Sequence, residues 1–283
     1  MANGKKNKRK ASTGQLVNFV PDSYLDRTSR PVYAAAYLSV FIIIYEIGTL
    51  LISPDVLNAS ISQQRVRVVS FIWLRNMLEY IGFSPRFVWI ATPLAVVFIL
   101  LALQLTSGAK WRVYMRDFIP MTVECILSAI PLIVLSLVLN RSTDTAAALI
   151  PSAAAQLYVP HGFLVNVVTG IGAGIYEEFI FRLVMIILLM ILLQDLLGVN
   201  KTTAIILAVS ISAALFSLHH HFFYVNGALQ RGDPVSAARF FFRFLAGVYF
   251  AVLFAVRGFG IAAGTHAWYD IIAAVLNAFF FGR

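Results

Sequence analysis

Runs of roughly 20 apolar residues recur from Pro31 to the end of the chain, and each is long enough to cross a ~30 Å hydrocarbon layer as a helix. Inside lipid every backbone amide must be satisfied within the chain, so segments of this kind fold as membrane-spanning helices or closed barrels. No period-2 strand pattern or internal repeat appears, which leaves helices. Composition agrees: of the 283 residues 60% are hydrophobic and only 12% charged, and the mean hydropathy is +0.82. A soluble domain carries roughly 25% charged residues. The chain therefore reads as an all-α polytopic membrane protein with about seven to eight transmembrane helices.

The spans are read as Val32 to Ile52, Phe87 to Leu105, Met121 to Leu139, Phe163 to Leu193, Thr202 to about Tyr224, Arg239 to Val256 and Ile261 to Phe281. The fourth is either one long tilted helix or a broken one, because Glu177, Glu178 and Arg182 interrupt it. Val66 to Phe83 is amphipathic, with Arg75 and Glu79 four apart on one face, and reads as an interfacial helix. The chain divides into a basic tail (1–30), N-terminal membrane helices with that interfacial segment (31–160) and a C-terminal membrane core (161–283).

The charge distribution supplies orientation. The formal net charge is +9, but Lys5, Lys6, Lys8, Arg9 and Lys10 lie together in the polar tail. Such a tail, with Lys110, Arg112 and Arg116 between the second and third spans, places the N-terminus in the cytoplasm by the positive-inside rule and against anionic headgroups. It gives no ground for a nucleic-acid partner. The lone Cys125 cannot form an internal disulfide, and no Cys/His frame for zinc or iron-sulfur is present.

Ionisable groups within spans are costly unless paired or hydrated, so each is a functional candidate. Three sets stand out. In Glu177-Glu178-x-x-x-Arg182, adjacent glutamates point about 100° apart, and Glu178 can pair with Arg182 one turn on, leaving Glu177 aimed elsewhere. Gly170, Gly172 and Gly174 before them offer a small surface for close approach. In Phe216-x-x-x-His220, His220 shares a face with Phe216, and helical spacing turns His219 and His221 away, so those two read as helix-end residues. In His266-x-x-x-Asp270 the two polar groups share one face, beside Gly260 and Gly264. Helix lengths allow all three sets to lie within ~7 Å of one depth. Glu46 and Glu124 read as helix-contact groups, and His161 as interfacial.

These three motifs, in this order on three separate spans, resemble those of the CPBP (Abi, type II CAAX prenyl endopeptidase) family of intramembrane proteases. The likeness covers roughly the last 120 residues. It implies a peptidase acting on a membrane-associated protein or peptide, with Glu177 and His220 activating a water and His266 and Asp270 stabilising the oxyanion, supported by Glu178, Arg182 and Phe216. Prenyl-protein enzymes of the family typically carry Asn where this chain has Asp270, and many prokaryotic members allow Asp. An ionised Asp270 would repel an oxyanion, so its expected role is to orient His266 or to act protonated. A water-filled cavity is expected among these helices. No cofactor is demanded, and a zinc ion, if bound, would fall to Glu177, His220 and His266. Two other functions share these features. A proton-coupled transporter would show inverted repeats, whereas the paired intramembrane motifs all follow Ile175. A non-catalytic scaffold or immunity factor would keep the motifs without needing Glu177 or His220.

Overall fold

The computed structural model describes residues 19–52, 67–139, 162–225 and 227–281. The basic residues at positions 5 to 10, the connection from Asn140 to Pro160, Val66 and His161 lie outside them.

Among the described residues ten α-helices follow in order: α1 (Tyr24–Thr28), α2 (Pro31–Ile52), α3 (Val69–Tyr80), α4 (Val88–Ser107), α5 (Phe118–Leu139), α6 (Phe163–Glu178), α7 (Met185–Met190), α8 (Lys201–His219), α9 (Ala237–Arg257) and α10 (Phe259–Leu276). A 3-10 turn, Met115–Asp117, opens α5, and π-helical turns at Phe179–Val184 and Ile191–Leu196 join α6 and α7 into one helical unit. Seven of these units are long and apolar enough to span a membrane, in agreement with the sequence. Large apolar side chains such as Ile43, Leu94, Phe98 and Val134 cover their outer faces, where lipid tails take the place of a protein partner.

The fourth span is a continuous unit, Phe163–Leu196, of 34 residues. At ~1.5 Å per residue it reaches about 50 Å, longer than the ~30 Å hydrocarbon layer, so it tilts or projects. The fifth span is shorter than its apolar run. It stops at His219, and Phe222–Val225 (β1) pairs antiparallel with Ala228–Arg231 (β2) in a hairpin. The sequence reading had no strand here, because four alternating residues at the end of an apolar run carry too little period to see. Tertiary contact selects the hairpin: Phe223 and Val225 pack on Val69 and Ile72, and Trp73 Nε1 donates to the Tyr224 carbonyl at 2.8 Å.

The amphipathic segment forms α3, and its 12 residues are too few to cross a membrane. Arg75 and Glu79 pair at 2.8 Å on its outer face, while Phe71, Leu74 and Leu78 are buried. The helix is thus sunk against α4 and α6 rather than resting on them.

The innermost span is α10, which with its final π turn is 67% buried over its apolar window, against 22% for Met115–Leu139. Its small residues allow this enclosure. Gly260 faces Ala34 of α2, Gly264 faces Cys125 of α5, and Ala267 faces Gly174 of α6. Gly258, at φ +83°, turns the chain from α9 into α10 directly against the Ser29 carbonyl.

Both outlying glutamates are satisfied. Glu46 takes Arg67 through two hydrogen bonds of 2.7 Å, and the guanidinium lies 4.3 Å over the Phe71 ring. Glu124 accepts from Arg257 at 2.5 and 2.9 Å and from the Tyr24 hydroxyl at 2.7 Å.

Candidate active site

The close crossing of α6 and α10 brings two of the motifs together. A Cβ on Gly174 would stand 2.5 Å from the Ala267 amide nitrogen, and one on Gly170 would stand 2.6 Å from the Asp270 Cβ. Only glycine at these two positions lets Glu178, at the end of α6, reach the face of α10 that carries His266 and Asp270.

The paired glutamates part as their helical spacing requires. Glu178 Oε2 lies 3.0 Å from Arg182 Nε, both side chains being fully buried. The contact is ionic rather than a directed hydrogen bond, since neither atom meets hydrogen-bond geometry. Arg182 also donates to the Gly247 carbonyl at 3.4 Å and stacks 4.1 Å over the Phe216 ring. The other Glu178 oxygen, Oε1, lies 2.8 Å from His266 Nδ1. With Glu178 ionised against Arg182, that nitrogen carries the proton and donates.

Of the two roles expected for Asp270, hydrogen bonding to His266 is not made. Its Oδ2 stands 3.7 Å from His266 Nε2, beyond hydrogen-bond reach, and neither carboxylate oxygen has a hydrogen-bond partner. Orientation of His266 comes from Glu178 and from the Phe250 ring, stacked on the imidazole at 4.5 Å and 16°. The i,i+4 spacing puts Asp270 beside His266 but not in line with its ring nitrogens.

Glu177 points away from this group, toward the end of α8. His219 Nε2 lies 3.5 Å from its Oε1, and His220 Nε2 lies 3.8 Å from its Oε2, which has no hydrogen-bond partner. Both imidazoles are fixed by one atom: the Phe216 carbonyl receives His219 Nδ1 at 2.9 Å and His220 Nδ1 at 2.8 Å. That carbonyl belongs to the last turn of α8, where backbone acceptors lack intrahelical donors and attract side-chain N–H groups. With both protons on Nδ1, both Nε2 atoms present lone pairs to Glu177.

His219 is the residue that sequence reasoning set aside. The 100° rule holds within a helix, but α8 ends at His219 and His220 sits in the following turn, so consecutive side chains converge. Three histidines at a helix end were the available signal. His221 does turn away, with Nδ1 on the Asp233 carbonyl at 3.1 Å.

Phe216 joins the two halves, its ring 5.0 Å from that of His220 and 5.9 Å from that of His266. Trp73 of α3 and Phe181 close over His219 at 5.7 and 5.0 Å. Instead of lining an open water-filled cavity, Glu177, His220, His266 and Asp270 are only 1–3% exposed. A lateral cleft of about 740 Å³ is walled by Tyr24, Pro120, Glu124, Pro131 and Tyr249, among others, and none of these four side chains borders it.

The donor atoms of Glu177, His219 and His220 lie within 4.8 Å of one another, the only such group of three among the described residues. A metal set containing His266 is not the one that the fold gathers, because His266 is engaged with Glu178.

No curated protein and no solved structure matches the chain. Residues 159–272 match the family model of the Type II CAAX prenyl endopeptidase Rce1-like proteins, and every motif residue described above falls inside that stretch. Residues 159–272 thus form a domain similar to the Type II CAAX prenyl endopeptidase Rce1-like proteins.

Proposed function

We propose that this protein hydrolyses a peptide bond near the membrane-anchored end of a polypeptide substrate, using a water held between Glu177 and His220. The match of residues 159–272 to the family model supports an intramembrane protease in general. The observation that carries the finer reading is the buried Glu177 carboxylate, with one oxygen unpartnered and two imidazole lone pairs aimed at it. Three acceptors facing one another require a donor between them, and a water supplies two protons.

In this reading Glu177 takes a proton as the water oxygen attacks the scissile carbonyl carbon, and His220 orients the water through Nε2. The carbonyl oxygen becomes an oxyanion on the side of His266. Because Nδ1–H of His266 is committed to Glu178, the donor to the oxyanion is Nε2–H of the doubly protonated ring. Collapse of the tetrahedral intermediate breaks the C–N bond, and the proton on Glu177 passes to the leaving amine. Asp270 adjoins the Nε2 side of the ring. Since the four side chains are closed off, substrate entry requires α3 or the hairpin to move from the site. The family name points to prenylated C-terminal ends as the substrate class to test first.

A second reading has its own observation. Four ligands at ~2.0–2.1 Å around tetrahedral zinc stand roughly 3.3 Å apart. The Glu177–His219 and Glu177–His220 separations of 3.5 and 3.8 Å are close to that figure, and both imidazoles are in the tautomer that ligates through Nε2. Glu177, His219 and His220 fit a zinc ion and would hold it, and the ion would lower the pKa of a bound water.

Cleavage of membrane-anchored reporter peptides by purified protein tests both. Loss of cleavage in Glu177→Ala with retention in chelator supports the metal-free route. Loss in both supports the metal route. A folded protein that cuts no reporter, with wild type and Glu177→Ala rescuing a deletion strain equally, would make it a scaffold.

A further inference from the structure

At the end of the bundle where α4 stops and α5 begins, the loop after Ser107 meets the segment before α2 and collects positive charge. The guanidiniums of Arg27, Arg112 and Arg116 surround a single ring, that of Tyr114, at 5.3, 5.0 and 5.2 Å from its centroid. With Arg30, Lys110 and Asp22 they line a recess of about 210 Å³. Liquid water occupies ~30 Å³ per molecule, so the space suits a phosphate group with part of its ester.

The carboxylates present do not neutralise this cluster. Arg27 is held by Asp117 through two bonds of 2.9 Å. Arg30 is held by Asp22 at 2.7 Å and Asp26 at 2.5 Å, and Lys110 pairs with Asp22. Arg112 and Arg116 are exposed, and neither meets a carboxylate within 4.0 Å among the described residues. A cation over an aromatic ring at the surface is attracted only weakly, which does not replace a counter-ion.

Exposed apolar side chains adjoin the recess residues along the chain. Leu105, Trp111, Met115 and Ile119 are all exposed on the adjoining ends of the two spans. Trp at this level is a residue of the headgroup boundary. A soluble anion would have no use for those apolar side chains, whereas a lipid carries its charge and its acyl chains in the same arrangement. We propose that this recess binds the phosphodiester of an anionic phospholipid, with Arg112 and Arg116 gripping the phosphate and the acyl chains lying along Leu105, Met115 and Ile119. Guanidiniums are suited to this because their paired N–H groups match two phosphate oxygens.

Native mass spectrometry of the full chain, released from micelles holding equal phosphatidylglycerol and phosphatidylcholine, tests the assignment. Wild type should retain phosphatidylglycerol preferentially, and the preference should fall as salt rises. The double variant Arg112→Gln/Arg116→Gln should reduce that preference by roughly 30-fold, in line with the contribution of two cations at an anionic surface. Arg86→Gln, an exposed cation at the opposite end of α4, should leave it unchanged. Equal retention of the two lipids by wild type, or the same loss in both variants, would overturn the proposal. Displacement of the lipid by millimolar inorganic phosphate would assign the recess to a soluble anion instead. Should the double variant not fold, the wild-type lipid contrast and its salt dependence decide the question alone.

Discussion

Glu178 and His266 are 88 residues apart in the chain and 2.8 Å apart in the fold, joined through Oε1 and Nδ1 while the second glutamate oxygen faces Arg182. One carboxylate thus neutralises a buried guanidinium and sets the tautomer and direction of the imidazole on α10. The nearer partner by sequence, Asp270, makes no such bond.

Glu178→Gln should therefore damage both stability and activity. Leaving Arg182 as a buried charge without its counter-ion costs about 3–5 kcal/mol, and His266 loses its orienting acceptor. Asp270→Asn should alter the melting temperature far less. Thermal unfolding in detergent together with reporter cleavage separates the two; a Glu178→Gln protein as stable and active as wild type would contradict the dual role.

His219→Ala should lower the cleavage rate by about 10²-fold, because its Nε2 is one of the acceptors that position the water beside Glu177. His221→Ala, whose imidazole turns to Asp233, should stay near wild type. Elemental analysis of the purified proteins adds a readout beyond activity: if zinc co-purifies, His219→Ala should lose it and His266→Ala should keep it.

Gly174→Ala places a methyl group 2.5 Å from the backbone nitrogen of Ala267, which cannot yield as a side chain can. A loss of about 1–3 kcal/mol is expected from overpacking. At Gly162 the same substitution meets only Val165 at 3.9 Å and should be near neutral. The difference in melting temperature between the two variants is the test.

Hydrogen bonds from Lys110 and Arg30 pull the Asp22 carboxyl down from 3.8 to about 2. Since the folded value lies below the unfolded one, its stabilising contribution is complete above pH ~4 and disappears as pH falls toward 2. The gap in melting temperature between wild type and Asp22→Asn should be constant from neutral pH to about 4 and close below it. Asp22 is exposed, so the gap should also shrink with added salt. A gap that widens in acid would show the sign to be wrong.

Segment length and hydropathy alone determined the number of spans, because a helix crossing ~30 Å of hydrocarbon needs a fixed count of apolar residues whatever surrounds it. Spacing within one helix likewise determined that Glu178 faces Arg182 and that Glu177 points elsewhere, since i,i+4 geometry is local. Partnerships between helices were not legible. That Glu178 rather than Asp270 orients His266 follows from the close crossing of α6 and α10, set by Gly170 and Gly174 against Asp270 and Ala267. His219 enters the Glu177 group because α8 ends there, and it ends where the hairpin of Phe222–Val225 packs on α3, a contact between residues some 150 positions apart. Periodicity carries information only while a helix continues, so the geometry at its end, where the chemistry sits, was decided by tertiary packing.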